Sequence, residues 1–338
     1  MNSFKPSSIF NARWIGVLAV VVLGLLAACS GGSGGCGSCA VPAYHATPPG
    51  ATPLPPGVTP TPSPTPTPVG ATPTPTPTAT PAVLSCSQGG PTSIALGPAL
   101  APFALLAGST ISNVGTTVVT YSPGAVTGGI NDDLIGVSPG TAVTGFYPPG
   151  SDTDGSNAIY AAGYNTNAAV PLAAENALTT AYNTAAGEPV TTTFLGGQDL
   201  SQASVPGHPV GTLPPGVYHS PSSLAIAAGN LTLDGGGSAQ SVIIFQMGST
   251  LTTTLNGGTS GNVILTNGAS PCNIYWQVGS SATLGGATFY GNVLAFSSVT
   301  INASIFTGRA LAGGPTLGDG AVSVPILTGS LITNPGGN

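Results

Sequence analysis

The chain has 338 residues, of which 41% are hydrophobic and only 4% are charged, and its formal net charge is −6. An ordinary soluble domain carries about 25% charged residues, so salt bridges cannot organise this fold. The basic residues are Lys5, Arg13 and Arg309. Nucleic-acid binding needs several phosphate contacts from Lys or Arg, and an anionic membrane surface needs a basic patch, so the composition excludes both partners.

The N-terminus has the pattern of an export signal. Lys5 and Arg13 precede an apolar stretch at 14–28 that is too short to span a bilayer comfortably. We therefore predict that residues 1–28 are a signal peptide and take no part in the fold.

The next residues are typical of a lipid anchor. Leu26-Ala27-Ala28-Cys29 resembles the lipobox of bacterial lipoproteins, in which cleavage precedes the cysteine and its thiol is acylated. Residues 29–39 would then form the anchor and a Gly/Ser tether, and the lipid on Cys29 would be the only membrane contact. Because Ser30 resembles the outer-membrane sorting pattern, we expect display at the cell surface. A plain signal peptide ending near Ala28, which would give a secreted protein, is the alternative.

A Pro/Thr-rich linker is predicted at 40–85, before the folded domain at 86–338. Pro-rich chains favour polyproline II at about 3.1 Å per residue, so the linker can hold the domain on the order of 100 Å from its anchor.

Four cysteines remain once Cys29 is assigned to the lipid. An even number fits an oxidising compartment. Cys36 and Cys39 lie in the glycine-rich tether, without the strand and helix that a redox motif needs. Cys86 and Cys272 form a possible structural disulfide, although the sequence does not establish the connectivity.

One helix is predicted within an otherwise β-rich domain, at about 171–186. Pro171 can start it and Gly187 can stop it. The residues that share one helical stripe are Ala174, Ala177, Leu178, Ala181, Tyr182 and Ala185.

The β-rich part repeats a short sequence motif, the Thr-Leu phrase, in which Thr precedes Leu or Ile after a Gly/Ser corner. Successive pairs begin at Thr232, Thr250, Thr283, Thr300 and Thr316. The steps between them are 18, 33, 17 and 16 residues, the step of 33 being one coil plus an insertion. This repeat predicts a solenoid, whose stacked strands lie about 4.8 Å apart and would align these threonines in one outward column. A β-sandwich of short strands is the alternative, but its strands seldom repeat side-chain identity at a fixed step.

Several segments closely resemble the microbial ice-binding proteins of the DUF3494 type. They are 103–111, 136–146, 245–251, 276–284 and 307–312, and they occur in the order of that family. The resemblance implies a mostly β fold, a discontinuous right-handed β-solenoid of triangular section with one long α-helix packed alongside.

The resemblance also implies a site, a flat solenoid face of Thr, Ser and Ala. Some family members carry a Thr-Ala/Gly-x-Thr/Asn motif there, which occurs here as Thr141-Ala142-Val143-Thr144. An uncharged plane of methyl and hydroxyl groups lets bound water adopt ice-like order, so the expected partner is the ice crystal surface, with no cofactor and no small-molecule substrate. The predicted ice-binding residues are Thr141, Thr144, Thr232, Thr250, Thr283, Thr300 and Thr316.

Neighbouring columns compete with this assignment, because Thr is also a good strand former and the sequence does not reveal which face the helix covers. The competing positions are Thr252, Thr254, Ala287, Asn302 and Ser304.

Two other functions stay open. Right-handed β-helices also host polysaccharide-degrading enzymes that use clustered carboxylates, but the acids here are scattered and lie near turns. Asp132 and Asp133 could bind calcium together with Asp152 and Asp154. The histidines His208 and His219 are too few for a metal site. A surface adhesin that binds polysaccharide or protein through the repetitive face is the second alternative.

Overall fold

This computed structural model describes residues 94–123, 126–127, 130–153, 155–254, 259–313, 320–325 and 329–336. All of these residues belong to one compact unit within Pro75–Asn338. The predicted signal peptide, the anchor at Cys29 and the linker lie outside the described residues and stay predictions.

The described chain is mostly β. Its α-helices are α1 (Gly97–Leu100) and α2 (Ala169–Gly187), and short 3₁₀ helices occupy Gly155–Ala158, Leu200–Gln202 and Pro271–Asn273. The strands are β1 (Phe103–Ala107), β2 (Thr110–Asn113), β3 (Val118–Tyr121), β4 (Val126–Thr127), β5 (Ile130–Asn131), β6 (Leu134–Val137), β7 (Ala142–Thr144), β8 (Ser151–Asp152), β9 (Ile159–Tyr160), β10 (Thr192–Thr193), β11 (Gln198–Asp199), β12 (Thr212–Leu213), β13 (Gly216–Ser220), β14 (Leu224–Ile226), β15 (Leu231–Asp234), β16 (Ile243–Met247), β17 (Leu251–Thr253), β18 (Val263–Thr266), β19 (Ile274–Val278), β20 (Ser281–Leu284), β21 (Thr288–Ala295), β22 (Ser298–Ile301), β23 (Ile305–Ala312), β24 (Ala321–Val324) and β25 (Leu331–Asn334).

Apart from the antiparallel pair β4 and β5, the strands form three faces of parallel strands, because each turn of the chain contributes one rung to each face. Face A follows the order β10, β13, β16, β19, β21, β23, β1, β6, β9, and face B follows β11, β14, β17, β20, β22, β24, β2, β7. Face C contains β12, β15 and β18, and then the N-terminal halves of β21 and β23 with β25, β3 and β8. The prediction of a mostly β solenoid with one long helix is confirmed.

Strand β23 shows where face C turns into face A. Its first half, at 305–307, pairs with β25, whereas its second half, at 310–312, pairs with β1. Gly308 lies between the halves, opposite Gly291 of β21. A Cβ on Gly308 would lie 1.9 Å from the carbonyl oxygen of Gly291, so the two rungs can approach at this corner only without side chains.

The stacking order differs from the chain order. Strands β1, β2 and β3 pair on one side with β23, β24 and β25, near the C-terminus, and on the other side with β6, β7 and β8. The first rung of the chain therefore follows the last one in space, and this is the predicted discontinuity.

The interior of the solenoid is apolar, because alternate residues of each strand point inward. An aromatic column runs through it. The ring of Phe245 stacks on Tyr218 with centroids 5.4 Å apart and on Trp276 with centroids 4.0 Å apart. Parallel strands in register place like side chains above one another, and the stack rigidifies the rungs.

Helix α2 packs against face A and buries a second apolar cluster there. Leu178 and Ala181 of the helix pack with Tyr275, Leu294 and other outward residues of face A. The Gln246 side-chain amide donates hydrogen bonds to the carbonyls of Ala185, at 2.8 Å, and Glu188, at 2.9 Å, and so satisfies the helix C-terminus. Faces B and C are left without this cover. Within the described segments, neither helix has the length and apolar character to cross a membrane.

Candidate functional site

Face B presents two outward columns of small, uncharged side chains. Column 1 consists of Ser281, Ser298, Ala321, Thr110 and Ala142. Column 2 consists of Ala225, Thr252, Thr283, Thr300, Ser323, Ser112 and Thr144. Rungs lie about 4.8 Å apart and residues two positions apart along a strand are separated by roughly 6.7 Å, so the columns form a regular grid.

Strict alternation keeps these columns outward. In β20 the inward positions are Ala282 and Leu284, and in β22 they are Val299 and Ile301, all fully buried. A slip of one residue would turn aliphatic side chains to solvent and threonines into the core, so the apolar interior fixes which residues form the face.

Hydrogen bonds between rungs orient several hydroxyls of face B. Ser298 Oγ donates to Ser281 Oγ at 2.9 Å within column 1, and Ser323 Oγ donates to Thr300 Oγ1 at 3.2 Å within column 2. These bonds restrict side-chain rotation, so the middle of the face is ordered before any ligand arrives.

The structure brings together some of the predicted threonines. Thr144, Thr283 and Thr300 share column 2, and Thr141 directly precedes β7, beside column 1. Thr316 lies outside the described residues. Thr252, which the sequence left as a competitor, belongs to column 2.

The prediction of a single threonine column is wrong for two members. Thr250 precedes Leu251, which pairs with Ala282, so Thr250 lies level with column 1. Thr232 lies on β15 of face C, where it pairs with Thr212. A Thr-Leu pair can occur wherever an outward residue precedes an inward one, and each turn of the solenoid contains several such places. The pair alone therefore does not identify the face. Thr254, which the sequence left as an alternative contact residue, lies at a corner of the solenoid. Its hydroxyl donates hydrogen bonds to the carbonyls of Ile226 and Ala227 there.

One carboxylate borders face B. Asp199 pairs with Ala225 at the edge of the sheet, at the end of column 2. Its burial acts to raise its pKa, but hydrogen bonds from the backbone N–H of Ala228 and Ala227 and from Ser201 outweigh this effect and hold the pKa below its ordinary value. The negative charge of Asp199 therefore lies at the border of face B, where its hydrogen bonds stabilise the corner at Ala227 and Ala228.

The buried acids near the solenoid end are engaged in structural contacts. Thr153 Oγ1 donates to Asp133, and the charge of Asp132 acts on Arg309. Arg309 is fully buried, and burial lowers the pKa of its guanidinium to about 10 although Asp132 opposes the shift. Its Nε donates to the carbonyl of Ala101 at 2.9 Å. The described part of the chain contains no group of three or more His, Cys, Asp or Glu side chains placed to hold a metal ion, and Asp154 is not described.

Cys272 is fully buried and disulfide-bonded. Its predicted partner, Cys86, lies outside the described residues, so this pairing stays a prediction.

The chain is similar to known ice-binding proteins. The family model described as ice-binding-like matches residues 105–322, and the chain belongs to this family. It is 39% identical over 213 residues to an ice-binding protein of Nostoc sp. (strain HG1), a match that covers 62% of this chain and 66% of the relative, so the chain spans about two thirds of that protein.

Solved structures give the same result. An ice-binding protein from an Antarctic biological consortium is 34% identical with a TM-score of 0.54, over 74% of this chain and 96% of that one. An ice-binding protein from an Arctic yeast, whose structure was solved to explain its antifreeze activity, is 28% identical with a TM-score of 0.53, over 72% and 95% of the two chains. These relatives are described as ice-binding proteins and not as enzymes.

Proposed function

We propose that this protein binds ice through face B and thereby restrains ice growth or recrystallisation. The observation that carries the proposal is the pair of in-register columns, whose outward side chains are Thr, Ser and Ala. A charged side chain would keep its own hydration shell, whereas fixed methyl and hydroxyl groups on a regular grid leave the adjacent water free to take ice-like positions.

The proposed contact residues are centred on column 2. Thr144, Thr283 and Thr300 retain the role predicted from the sequence, and Thr252 joins them. Thr250 lies level with column 1 and Thr141 directly precedes it, both at strand starts, and they would contribute at the margin. Thr316 lies outside the described residues, so its contact with ice stays a prediction from the sequence.

The test replaces Thr283 and Thr300 with tyrosine, because a large ring on a flat face holds the ice surface away from the neighbouring side chains. We expect thermal hysteresis and recrystallisation inhibition to fall at least about tenfold, a loss of 1.4 kcal/mol or more in adsorption. Circular dichroism and the melting temperature should stay close to those of the wild type, since both side chains point outward.

Thr180→Tyr is the matched control, because Thr180 is an exposed threonine on helix α2, away from face B. It should retain full activity. Undiminished hysteresis in a folded Thr283→Tyr, Thr300→Tyr variant would refute the assignment of face B.

We further propose that the protein is exported and held at the cell surface through a lipid on Cys29, with residues 40–85 as the spacer. The support is the lipobox-like sequence at 26–29 and the Pro/Thr composition of the spacer. Cys29→Ser should release the protein from the membrane fraction, and mass spectrometry of the wild-type N-terminus should find a diacylglyceryl-modified Cys29. An unmodified N-terminus near residue 29 would instead indicate a secreted protein.

A further inference from the structure

An open groove lies between the C-terminal half of helix α2 and the corner where face A turns into face B. This α2 groove is lined by Tyr182, Asn183 and Ala186 of the helix, and by residues of β13, β16 and β19 and of the corners beside them. Its volume is about 490 Å³, within the roughly 300–1,000 Å³ that is typical of sites for small ligands. None of the residues of columns 1 and 2 lines it, so the function proposed for face B does not use it.

Two glycines form the floor of the α2 groove. Gly248 directly follows β16 and Gly279 directly follows β19, so they stand on adjacent rungs at the corner. A Cβ on Gly279 would lie 2.5 Å from the carbonyl oxygen of Gly248, and a Cβ on Gly248 would lie 2.6 Å from that of Pro221. Close packing of the rungs therefore admits only glycine here, and it leaves a floor that no side chain covers.

An aromatic ring stands beside this floor. Phe296 directly follows β21, which pairs with β19, so it occupies on its own rung the position that Gly279 has on the neighbouring one. The residue is 40% exposed, although phenylalanine is usually buried. The face of an aromatic ring is negative and attracts polarised C–H groups, so this ring is suited to stack on the C–H face of a sugar.

A row of three polar side chains runs beside the floor, along the solenoid axis. Gln246 pairs with His219 on one neighbouring rung and with Gln277 on the other, so the row has the rung spacing of about 4.8 Å. All three residues line the groove. An amide and a neutral imidazole each offer a hydrogen-bond donor and an acceptor, as a sugar hydroxyl does. The row therefore matches the hydroxyl groups of a saccharide.

Hydrogen bonds hold this row in place before a ligand arrives. The amide nitrogen of Gln246 donates to the carbonyls of Ala185 and Glu188, which fixes the side chain against the helix. Burial raises the pKa of the Tyr182 hydroxyl, and a hydrogen bond with Gln277 partly offsets this effect. Groups that are fixed in advance lose little conformational freedom when a ligand binds.

The chemistry of the lining narrows the class of ligand. None of the described residues that line the groove is Asp, Glu, Lys or Arg, so a uronate, a phosphate or a nucleotide would meet no opposite charge. An aliphatic ligand would take polar side chains such as Gln277 and His219 out of water without bonding to them. We propose that the α2 groove binds a neutral saccharide, with a sugar ring stacked on Phe296 and sugar hydroxyls bonded to the polar row at Gln246. This is a second function, and it does not depend on ice binding by face B.

The test is saturation-transfer difference NMR on the full-length protein, which detects weak binding of small ligands. The neutral probes are cellotriose, maltotriose, mannotriose and chitotriose, and the charged probe is trigalacturonate. We expect transfer to at least one neutral probe and none to trigalacturonate. Transfer to no neutral probe, or equal transfer to trigalacturonate, overturns the proposal.

Ala186→Trp fills the groove, because Ala186 is an exposed position of its helical wall. We expect the dissociation constant for the bound probe to rise at least about tenfold. Ala173→Trp is the matched control, since Ala173 is also exposed on α2 but lies roughly 20 Å from Ala186 along the helix. The control should bind the probe as the wild type does, and undiminished binding by a folded Ala186→Trp variant refutes the site.

Phe296→Ala tests the ring without filling the groove. The affinity for the same probe should fall about tenfold, and the melting temperature should stay close to that of the wild type because the ring is partly exposed. Ile264→Ala is its control, since Ile264 is 39% exposed on face C, away from the groove. Should Ala186→Trp melt early, this second comparison decides, and equal affinities of Phe296→Ala and Ile264→Ala refute the site.

Ice binding and saccharide binding can fail separately in these experiments. The face B variant Thr283→Tyr, Thr300→Tyr should keep the saccharide signal, and Ala186→Trp should keep its thermal hysteresis. Loss of the saccharide signal from a folded face B variant would place the sugar on face B and refute the groove site.

Discussion

At the scale of single residues, Glu175 is the group least compatible with its surroundings. It lies on helix α2, is fully buried, and neither of its carboxylate oxygens has a hydrogen-bond partner among the described residues. Burial raises its pKa from an ordinary value of 4.5 to about 8. Between these two values the unfolded chain releases a proton that the folded protein keeps, so the free energy of unfolding should fall as the pH rises, and level off above pH 8.

Glu175→Gln should remove this pH dependence, because the amide does not titrate. Calorimetric melting curves from pH 4 to pH 9 would show a smaller decline between pH 4.5 and 8 than in the wild type. Glu188→Gln, which removes a carboxylate beyond the end of the helix, is the control and should leave the decline in place. A wild-type stability that is flat over this range would contradict the expectation.

At the scale of elements, the corner at Gly308 sets the distance between rungs. Alanine there would bring its Cβ within 1.9 Å of the Gly291 carbonyl oxygen, so strands β21 and β23 must separate. Overpacking of this kind costs about 1–3 kcal/mol, and we expect Gly308→Ala to lower the melting temperature by several degrees. Gly187→Ala, at the end of α2, where an added Cβ meets no atom within 4 Å, should have little effect or stabilise slightly. Equal melting temperatures for the two variants would refute this account.

The same scale shows what the sequence could predict. The apolar stripe and its flanking Pro171 and Gly187 located helix α2, observed at Ala169–Gly187, because local periodicity and end signals depend on neighbouring residues alone. The Thr-Leu phrase correctly indicated stacked rungs. It misplaced Thr232 and Thr250 because a Thr-Leu pair does not reveal which strand of a turn it lies on, or at which position in that strand. Packing of the Leu against the next rung decides both.

Some site residues gave no repeating signal. Ser298, Ala321 and Ser112 belong to the columns of face B, but they do not precede Leu, so the Thr-Leu phrase does not include them. Alternation within their strands was a usable signal, since inward Val299 and Ile301 imply that Ser298 and Thr300 point outward. The side of the solenoid covered by α2 could not be predicted, because it depends on contacts between residues far apart in the chain.

At the scale of the whole molecule, we propose that the disulfide of Cys272 ties the start of the domain to the solenoid through Cys86. Peptide mapping without reduction should recover a fragment that links these two cysteines. Cys272→Ser should lower the free energy of unfolding by about 2–5 kcal/mol, as expected when a large loop loses its cross-link. Recovery of Cys272 joined to Cys36 or Cys39 would contradict the pairing.

The pairing of β1, β2 and β3 with β23, β24 and β25 has a consequence for how the protein is made. The strands synthesised first need neighbours that emerge last from the ribosome, so the nascent chain cannot assemble its turns one by one as it grows. The segment at 103–121 can pair on one side with β6, β7 and β8, but its other side lacks its partner strands until residue 334 has been translated. Such long-range closure slows folding and prolongs exposure to aggregation, which makes this protein dependent on a complete C-terminus.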